Sequence, residues 1–210
     1  MSKLVATTLV ALLVSAAFAS DEDAKRWATN SSLDNLMEAY NGESNAHAKY
    51  LAYAEKAEKE GYMPVASLFR AAARAEEVHA GNHAKVIKAL GGTPKAEIKL
   101  PEIKTTKENL LAAVAGESYE RDHMYPAFLK TARSERNRSA IRTFNFARTA
   151  EAEHAKLYQY AADNLEKFKS DQKATYMVCS TCGYTVPKKD FTFEKCPSCF
   201  DPKEKYEAVS

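Results

Sequence analysis

Chain breakers are scarce in this sequence. Seven glycines and seven prolines among 210 residues are too few for a turn-rich fold, and they leave room for long helices. An excess of one charge is also missing. Thirty Lys and Arg face 28 Asp and Glu, a formal net charge of +2, which excludes the basic surplus that a nucleic-acid partner requires. No glycine-rich dinucleotide fingerprint is present, so any nicotinamide would have to act through a separate reductase. No segment after residue 20 has the run of about 20 apolar residues that spans a bilayer. Cysteine is absent until Cys179, which confines thiol chemistry to the C-terminal end.

The N-terminus stands apart from the rest. Lys3 gives a short positive region, Leu4 to Phe18 is an uncharged apolar run, and Ala17-Phe18-Ala19 precedes Ser20-Asp21 as a small-x-small cleavage site. This reads as a signal peptide over residues 1–19, with export to the periplasm or beyond and no membrane association after cleavage. There is neither a twin arginine nor a cysteine after the small residues, so neither a Tat signal nor a lipoprotein anchor is indicated.

The apolar spacing then predicts four long amphipathic helices. Ser31 with Asp34 opens the first, which runs to about Glu60 and stops at Gly61. Trp27 to Ser32 reads as a polar lead-in. Pro64 sits in the first turn of the second helix, which ends near Leu90. Residues 93–104 are long enough to cross the bundle. Thr105 with Glu108 opens the third helix, Pro126 should kink or end it near Tyr125, and the fourth runs from about Ala140 to Phe168. Four such helices with one long crossover make a ferritin-like four-helix bundle. It spans residues 20–168, a short polar linker covers 169–175, and a small module follows at 176–210.

The bundle sequence repeats itself. Phe69, Ala72, Ala75, Glu76, His79 and Ala80 recur 75 residues on as Phe144, Ala147, Ala150, Glu151, His154 and Ala155, and Gly42-Glu43-Ser44 recurs as Gly116-Glu117-Ser118. Each copy therefore carries one lone Glu and one Glu-x-x-His. Residues three apart on a helix share a face, so each pair can reach one ion. Burying Glu43, Glu76, Glu117 and Glu151 without compensation would be very costly, whereas hard carboxylate ligands with two imidazoles suit a dinuclear iron or manganese centre. Symmetry makes Glu76 and Glu151 the bridges, with Glu43 and His79 on one metal and Glu117 and His154 on the other. Glu120 breaks the symmetry, because its counterpart is Ala46. One metal thus has a choice between Glu120 and His79. Tyr50 and Tyr125 fit ordinary amphipathic packing with a satisfied hydroxyl. His83 reads as a polar flank, His47 and His123 as solvated, and Glu77 and Glu153 as pointing away.

Cys179-x-x-Cys182 and Cys196-x-x-Cys199 are paired knuckles with the spacing of a tetrahedral four-thiolate site for zinc or a single iron. A module this small needs such a metal to hold it together. Disulfides are a third possibility in an exported chain.

Gly42-Glu43-Ser44, Glu76-x-x-His79, Ala115-Gly116-Glu117-x-x-Glu120, Met124-Tyr125-Pro126 and Glu151-x-x-His154, followed by the four-cysteine tail, resemble rubrerythrin over nearly the whole mature chain. Cys179-x-x-Cys182-Gly-Tyr with Cys196-Pro-x-Cys199 is similar to rubredoxin, which favours iron over zinc. The resemblance implies a non-haem diiron peroxidase that reduces hydrogen peroxide to water, with Glu120 and His79 exchanging as ligands of one iron and with Tyr50 and Tyr125, which match family tyrosines near the site, hydrogen-bonding the carboxylates. It also implies a homodimer or larger assembly in which the thiolate iron of one subunit lies close to the diiron site of its neighbour. The electron donor, a periplasmic carrier or a separate reductase, is not identified by the sequence. A ferroxidase and a non-enzymatic metal-binding protein are the competing readings.

Overall fold

The computed structural model describes residues 25–27 and 29–210. The N-terminal segment read as a signal peptide lies outside them. Among the described residues no helix is long and apolar enough to cross a membrane.

Helix α1 (Ser32–Lys59) starts at a capping box, in which the Ser31 side chain accepts from Asp34 N while Asp34 Oδ2 accepts from Ser31 N at 2.9 Å. Gly61, at φ +78°, reverses the chain, and α2 (Met63–Ala89) follows with Pro64 in its first turn. The crossover then lies along α1, because the side chains of Asn41 and Asn45 bond the backbone of Glu97 and Lys99. Thr105 and Glu108 form a second capping box at the start of α3 (Thr106–Tyr119). Glu60, at the end of α1, accepts from both Thr106 N and Thr106 Oγ1, at 2.8 and 2.6 Å, which ties the first half of the bundle to the second.

Pro126 neither ends the helix nor simply kinks it. A proline lacks the N–H for the regular ladder and crowds the carbonyl four residues back. The chain absorbs this in a π-helical turn, Glu120–Met124, where Tyr125 N reaches back to Glu120 O. Helix α4 (Tyr125–Ser134) then continues. Helix α5 is Arg138–Asp163, two residues earlier at its start than the spacing suggests because Asn137 caps Ala140 N. It also stops short of Phe168. Asn164 turns its side chain onto Tyr160 O and leaves the helical region, and a 3-10 turn, Leu165–Phe168, follows.

Two aromatic clusters close the two ends of the bundle, Tyr50, Tyr53, Phe69 and Tyr158 at one and Trp27, Tyr125, Phe128 and Phe144 at the other. Trp27 is buried in the second, so the stretch read as a polar lead-in contributes to the core.

The C-terminal module is a three-stranded antiparallel sheet, β1 (Tyr176–Cys179), β2 (Thr185–Pro187) and β3 (Tyr206–Val209), in the order β2-β1-β3. Its linker pairs with the α1–α2 turn through Met63 N to Ser170 O and Ser170 N to Gly61 O. Tyr176 and Val178 join the bundle core, and Arg74 pairs with Glu207 at 2.6 Å. The module therefore docks on its own bundle.

Candidate metal centres

Four helices converge on one buried cluster. Glu43 comes from α1, Glu76 and His79 from α2, Glu117 from α3, and Glu151 and His154 from α5. All six are 1% exposed or less. Two sets of potential ligand atoms lie within 4.8 Å of one another, Glu43 with Glu76, His79 and Glu151, and Glu76 with Glu117, Glu151 and His154. Glu76 and Glu151 are common to both. His79 Nδ1 stands 2.8 Å from Glu76 and 3.2 Å from Glu151, while His154 Nδ1 stands 2.9 Å from Glu151 and 3.4 Å from Glu76. Each shared carboxylate thus turns one oxygen to each ring, as a bridge between two ions would.

The outer atoms are held from outside the cluster. Tyr125 donates to Glu43 Oε1, and Tyr50 donates to Glu117 Oε1 at 2.5 Å. His79 Nε2 donates to the carbonyl of Cys182 at 3.1 Å, and His154 Nε2 meets Thr185 Oγ1 at 3.2 Å. Both histidines are therefore oriented by the C-terminal module, leaving Nδ1 to face the cluster. Gly183 makes this approach possible. It sits at φ +76°, and a Cβ there would fall 2.2 Å from His79 Nε2.

Electrostatics show what the cluster lacks. Burial and neighbouring carboxylates push Glu43 and Glu117 well above the usual carboxylate range. Burial would do the same to Glu76, but the rings of His154 and His79 hold it well below. Burial opposes charge on His79 and His154, yet the glutamates around them raise both well above the ordinary histidine value. Glu43 Oε2, Glu76 Oε1, Glu117 Oε2, both oxygens of Glu151 and His154 Nδ1 are buried and make no hydrogen bond. Such inward-facing acceptors fit a pair of cations, and oxygen-rich donors with one imidazole each fit iron.

Glu120 is not within either set of converging atoms. It stands half-buried at the edge, in the π turn, where burial, Glu151 and Glu76 push its carboxyl up to about 8 against the opposing charge of Lys49. Glu77 is exposed and Glu153 half-buried, both off the cluster face. His83 is no polar flank. It is fully buried, held neutral with its pKa down at about 3 chiefly by burial, and bonded to Tyr125 and Thr143. Its repeat counterpart is Tyr158, which explains why a search for matching histidines passed over it. His47 is half-buried and donates to Ala73 O at 2.7 Å rather than being solvated, and His123 lies against Tyr119.

In the module, the Sγ atoms of Cys179 and Cys199 are 3.7 Å apart and those of Cys182 and Cys196 3.5 Å apart. These distances are close to the ~3.8 Å edge of a tetrahedron with metal–sulfur bonds of ~2.3 Å, and far from the ~2.05 Å of a disulfide. Tyr206 donates to Cys196 Sγ at 3.1 Å. The close approach that the resemblance places between neighbouring subunits is made here within one chain, since Cys182 carries the carbonyl that His79 bonds.

A family model described as Rubrerythrin matches residues 34–162. Nigerythrin of Nitratidesulfovibrio vulgaris is 39% identical over 182 residues, 86% of this chain and 88% of that relative. Rubrerythrin-2 of Clostridium acetobutylicum is 37% identical over 182 residues, covering 83% and 95%. Among solved structures, fully reduced, all-ferrous nigerythrin aligns with a TM-score of 0.77 at 36% identity, covering 85% of this chain and 87% of that one. A bacterioferritin of Desulfovibrio desulfuricans, at 21% identity and a TM-score of 0.61, shares the fold.

Proposed function

Because this chain belongs to the rubrerythrin family, we propose that it is a peroxidase reducing hydrogen peroxide to water with electrons drawn through its own four-cysteine site. Each peroxide takes two electrons and two protons and yields two waters. Two irons held by Glu43, Glu76, His79, Glu117, Glu151 and His154 would supply the electron pair, and an iron held by Cys179, Cys182, Cys196 and Cys199 would return electrons one at a time.

The observation that carries this reading is the hydrogen bond from His79 Nε2 to the Cys182 carbonyl. It joins a cysteine of one centre to a histidine of the other through a single contact, an arrangement that storing iron would not require. Thr185 holds His154 from the same module. The remaining residues exclude water from the cluster and keep its carboxylates aligned through Tyr50 and Tyr125. Glu120 stands half-buried beside the cluster, its carboxyl pushed up to about 8 by burial, Glu151 and Glu76, and in this reading it delivers a proton to peroxide. Its replacement, Glu120→Ala, should leave the iron in place and slow peroxide turnover by about a hundredfold. Turnover at the parent's rate would remove Glu120 from that role.

The direct test is visible absorption of the anaerobically reduced protein on addition of one equivalent of peroxide, beside an oxygen-only control. Rapid return of the ferric-thiolate colour with peroxide and slow return with oxygen supports the peroxidase. Faster return with oxygen favours a ferroxidase, and no colour in either state means the module does not carry iron. The apolar run from Leu4 to Phe18 supports an exported protein fed by a periplasmic carrier. Recovery of the intact Met1 terminus from cytoplasm alone would refute this. Assembly as a homodimer or larger oligomer is read by sedimentation.

A further inference from the structure

Charge is spread unevenly over the bundle. Residues 80–90, at the end of α2, and 136–146, around the start of α5, hold Lys85, Lys88, Arg136, Arg138 and Arg142 and no acidic residue. These five positive charges stand in a chain whose formal total is +2, so the remainder carries −3. All five are exposed, and among the described residues none of them forms an ion pair. The two helices run antiparallel, with His79 facing Glu151 and His83 facing Thr143. Lys88 and Arg138 therefore lie one turn beyond Lys85 and Arg142 on the same side. Helix preference does not ask for this, because α5 opens on Arg138 with no acidic residue in its first turn, against the sign its dipole favours. The nearby acids are committed. Glu135 accepts from Ser32 N at 3.1 and 3.2 Å, and Asp201 accepts from Thr181 Oγ1 at 2.6 Å.

This basic face leads to the four cysteines. Lys85 and Arg142 line a surface cavity of about 320 Å³ with Asn82, Val86, Phe146 and Thr181. Asn82 donates to Thr181 O at 2.8 Å, so the cavity lies at the seam between bundle and module. The Arg142 guanidinium stands 5.2 Å from the centre of the Phe146 ring, and Phe146 packs against the cysteine cluster. Across the seam, Asp201 joins the cavity wall to Phe200, its neighbour in sequence. Phe200 follows Cys199, the one cysteine of the four that is not fully buried, and is itself 73% exposed.

Among the described residues, Arg136 and Phe200 are the two non-glycine residues with positive φ, at +58° and +65°. Glycine takes this backbone more readily, and Arg136 stands just past α4, where glycine is usual. An aromatic ring left in water at such a position gains little from folding, so the fold alone does not account for it. Exposed aromatics and arginines are the residues that dominate protein–protein contacts.

We propose that the face formed by Lys85, Lys88, Arg138 and Arg142, with Phe200 beside it, docks an acidic protein that carries single electrons to the four-cysteine site. The charge selects an acidic surface, and the position against the cysteine cluster selects a redox carrier over other polyanions. The inference deepens the peroxidase reading by naming the class of its electron source, and rests on it for the use of the electrons. At each docking the carrier is oxidised by one electron and the four-cysteine site reduced by one, with no proton moved. Two dockings match the electron pair that each peroxide consumes.

The test titrates the zinc-loaded full chain with the soluble haem domain of cytochrome b5, an acidic one-electron carrier, and with basic cytochrome c as control. Amide NMR shifts should fall around Lys85, Arg142, Thr181 and Phe200, and affinity should drop as salt rises. Lys85→Glu and Arg142→Glu should each lower affinity by about tenfold at low ionic strength, and lower by the same factor the second-order rate at which the iron-loaded chain oxidises ferrous cytochrome b5. Lys107→Glu, at the opposite end of the bundle, should stay within about twofold of the parent. Phe200→Gly suits the left-handed backbone, so its melting temperature should not fall while affinity drops about tenfold. A purely structural ring would give the reverse. Parental affinity in the two charge reversals overturns the proposal, as does equal binding of cytochrome c. Shifts at these residues with anionic vesicles or duplex DNA, but none with cytochrome b5, overturn it as well. Docking and electron uptake without peroxide turnover would remove the peroxidase reading and leave the docking face standing, whereas peroxide turnover without cytochrome b5 binding would overturn the docking face alone.

Discussion

The two halves of the bundle are built on one plan and finished differently. Each offers a lone glutamate, a Glu-x-x-His and a tyrosine reaching across to the other half's glutamate. In the first half His79 bonds a main-chain carbonyl beside Cys182, while in the second His154 meets a threonine hydroxyl. The glutamate of the first half is linked outward through Tyr125, His83 and Thr143, whereas that of the second ends at Tyr50 in an aromatic cluster. The helix of the second half is interrupted by a π turn carrying Glu120. The shared plan makes a place for two ions, and the departures from it give the two sides different surroundings.

The shared plan is broken most severely at the common carboxylates. Glu76→Ala or Glu151→Ala should empty both half-sites, lowering bundle iron by at least about a hundredfold in affinity, beyond the 10–100-fold typical of outer partners, with the module's iron retained. Metal analysis distinguishes this from Glu43→Ala, which should empty one half. Loss of a single ion from Glu76→Ala would mean that the carboxylate does not bridge.

The tyrosines sharpen the comparison. Tyr125→Phe and Tyr50→Phe each remove the hydroxyl that holds a glutamate, and each should weaken iron binding by about 10–100-fold. Chelator competition checks this, and equal losses would show that the outward link of Tyr125 serves something other than iron retention.

Gly183→Ala should act on the first half alone. The substitution costs about 1–2 kcal/mol for the left-handed backbone and drives a methyl into His79, so the module must shift. Both centres keep their metal, but electron transfer from module to bundle, followed by stopped-flow reduction, should fall by about tenfold. An unchanged rate would disconnect the His79–Cys182 contact from electron supply.

The smallest contrast is with pH. His79 and His154 are held above the ordinary histidine value, and Glu43 and Glu117 above the usual carboxylate range, so the metal-free cluster retains protons that ligands must give up on binding. Iron affinity should therefore rise with pH, by about tenfold per unit for each proton released. A flat profile across neutral pH would mean the cluster is already deprotonated.

Much of this was legible before folding. Glu-x-x-His at helical spacing places both side chains on one face whatever the surroundings, and the repeat supplied its partner, so the residues that converge could be read from Glu76 and Glu151 alone. Capping at Ser31 and Thr105 is local chemistry and was readable for the same reason. His83 was not, because its role depends on Thr143, sixty residues away, and on the tyrosine hydroxyl between its ring and Glu43. The burial of Trp27 depends likewise on a cluster contributed by α4 and α5. The π turn is intermediate. Pro126 announces a disturbance, but whether a helix ends, bends or takes up an extra residue depends on what the flanking faces bury.

The sequence by itself determined four helices, a doubled carboxylate and histidine pattern and a four-thiolate module, because periodicity, caps and ligand spacing act within a few residues. Only the tertiary structure decided that the module sits on its own bundle, that Gly183 lets Cys182 reach His79, and that His83 and Thr143 meet Tyr125 on one side of the site alone. Those depend on side chains and backbone groups far apart in sequence meeting at hydrogen-bonding distance, and no local pattern encodes that meeting.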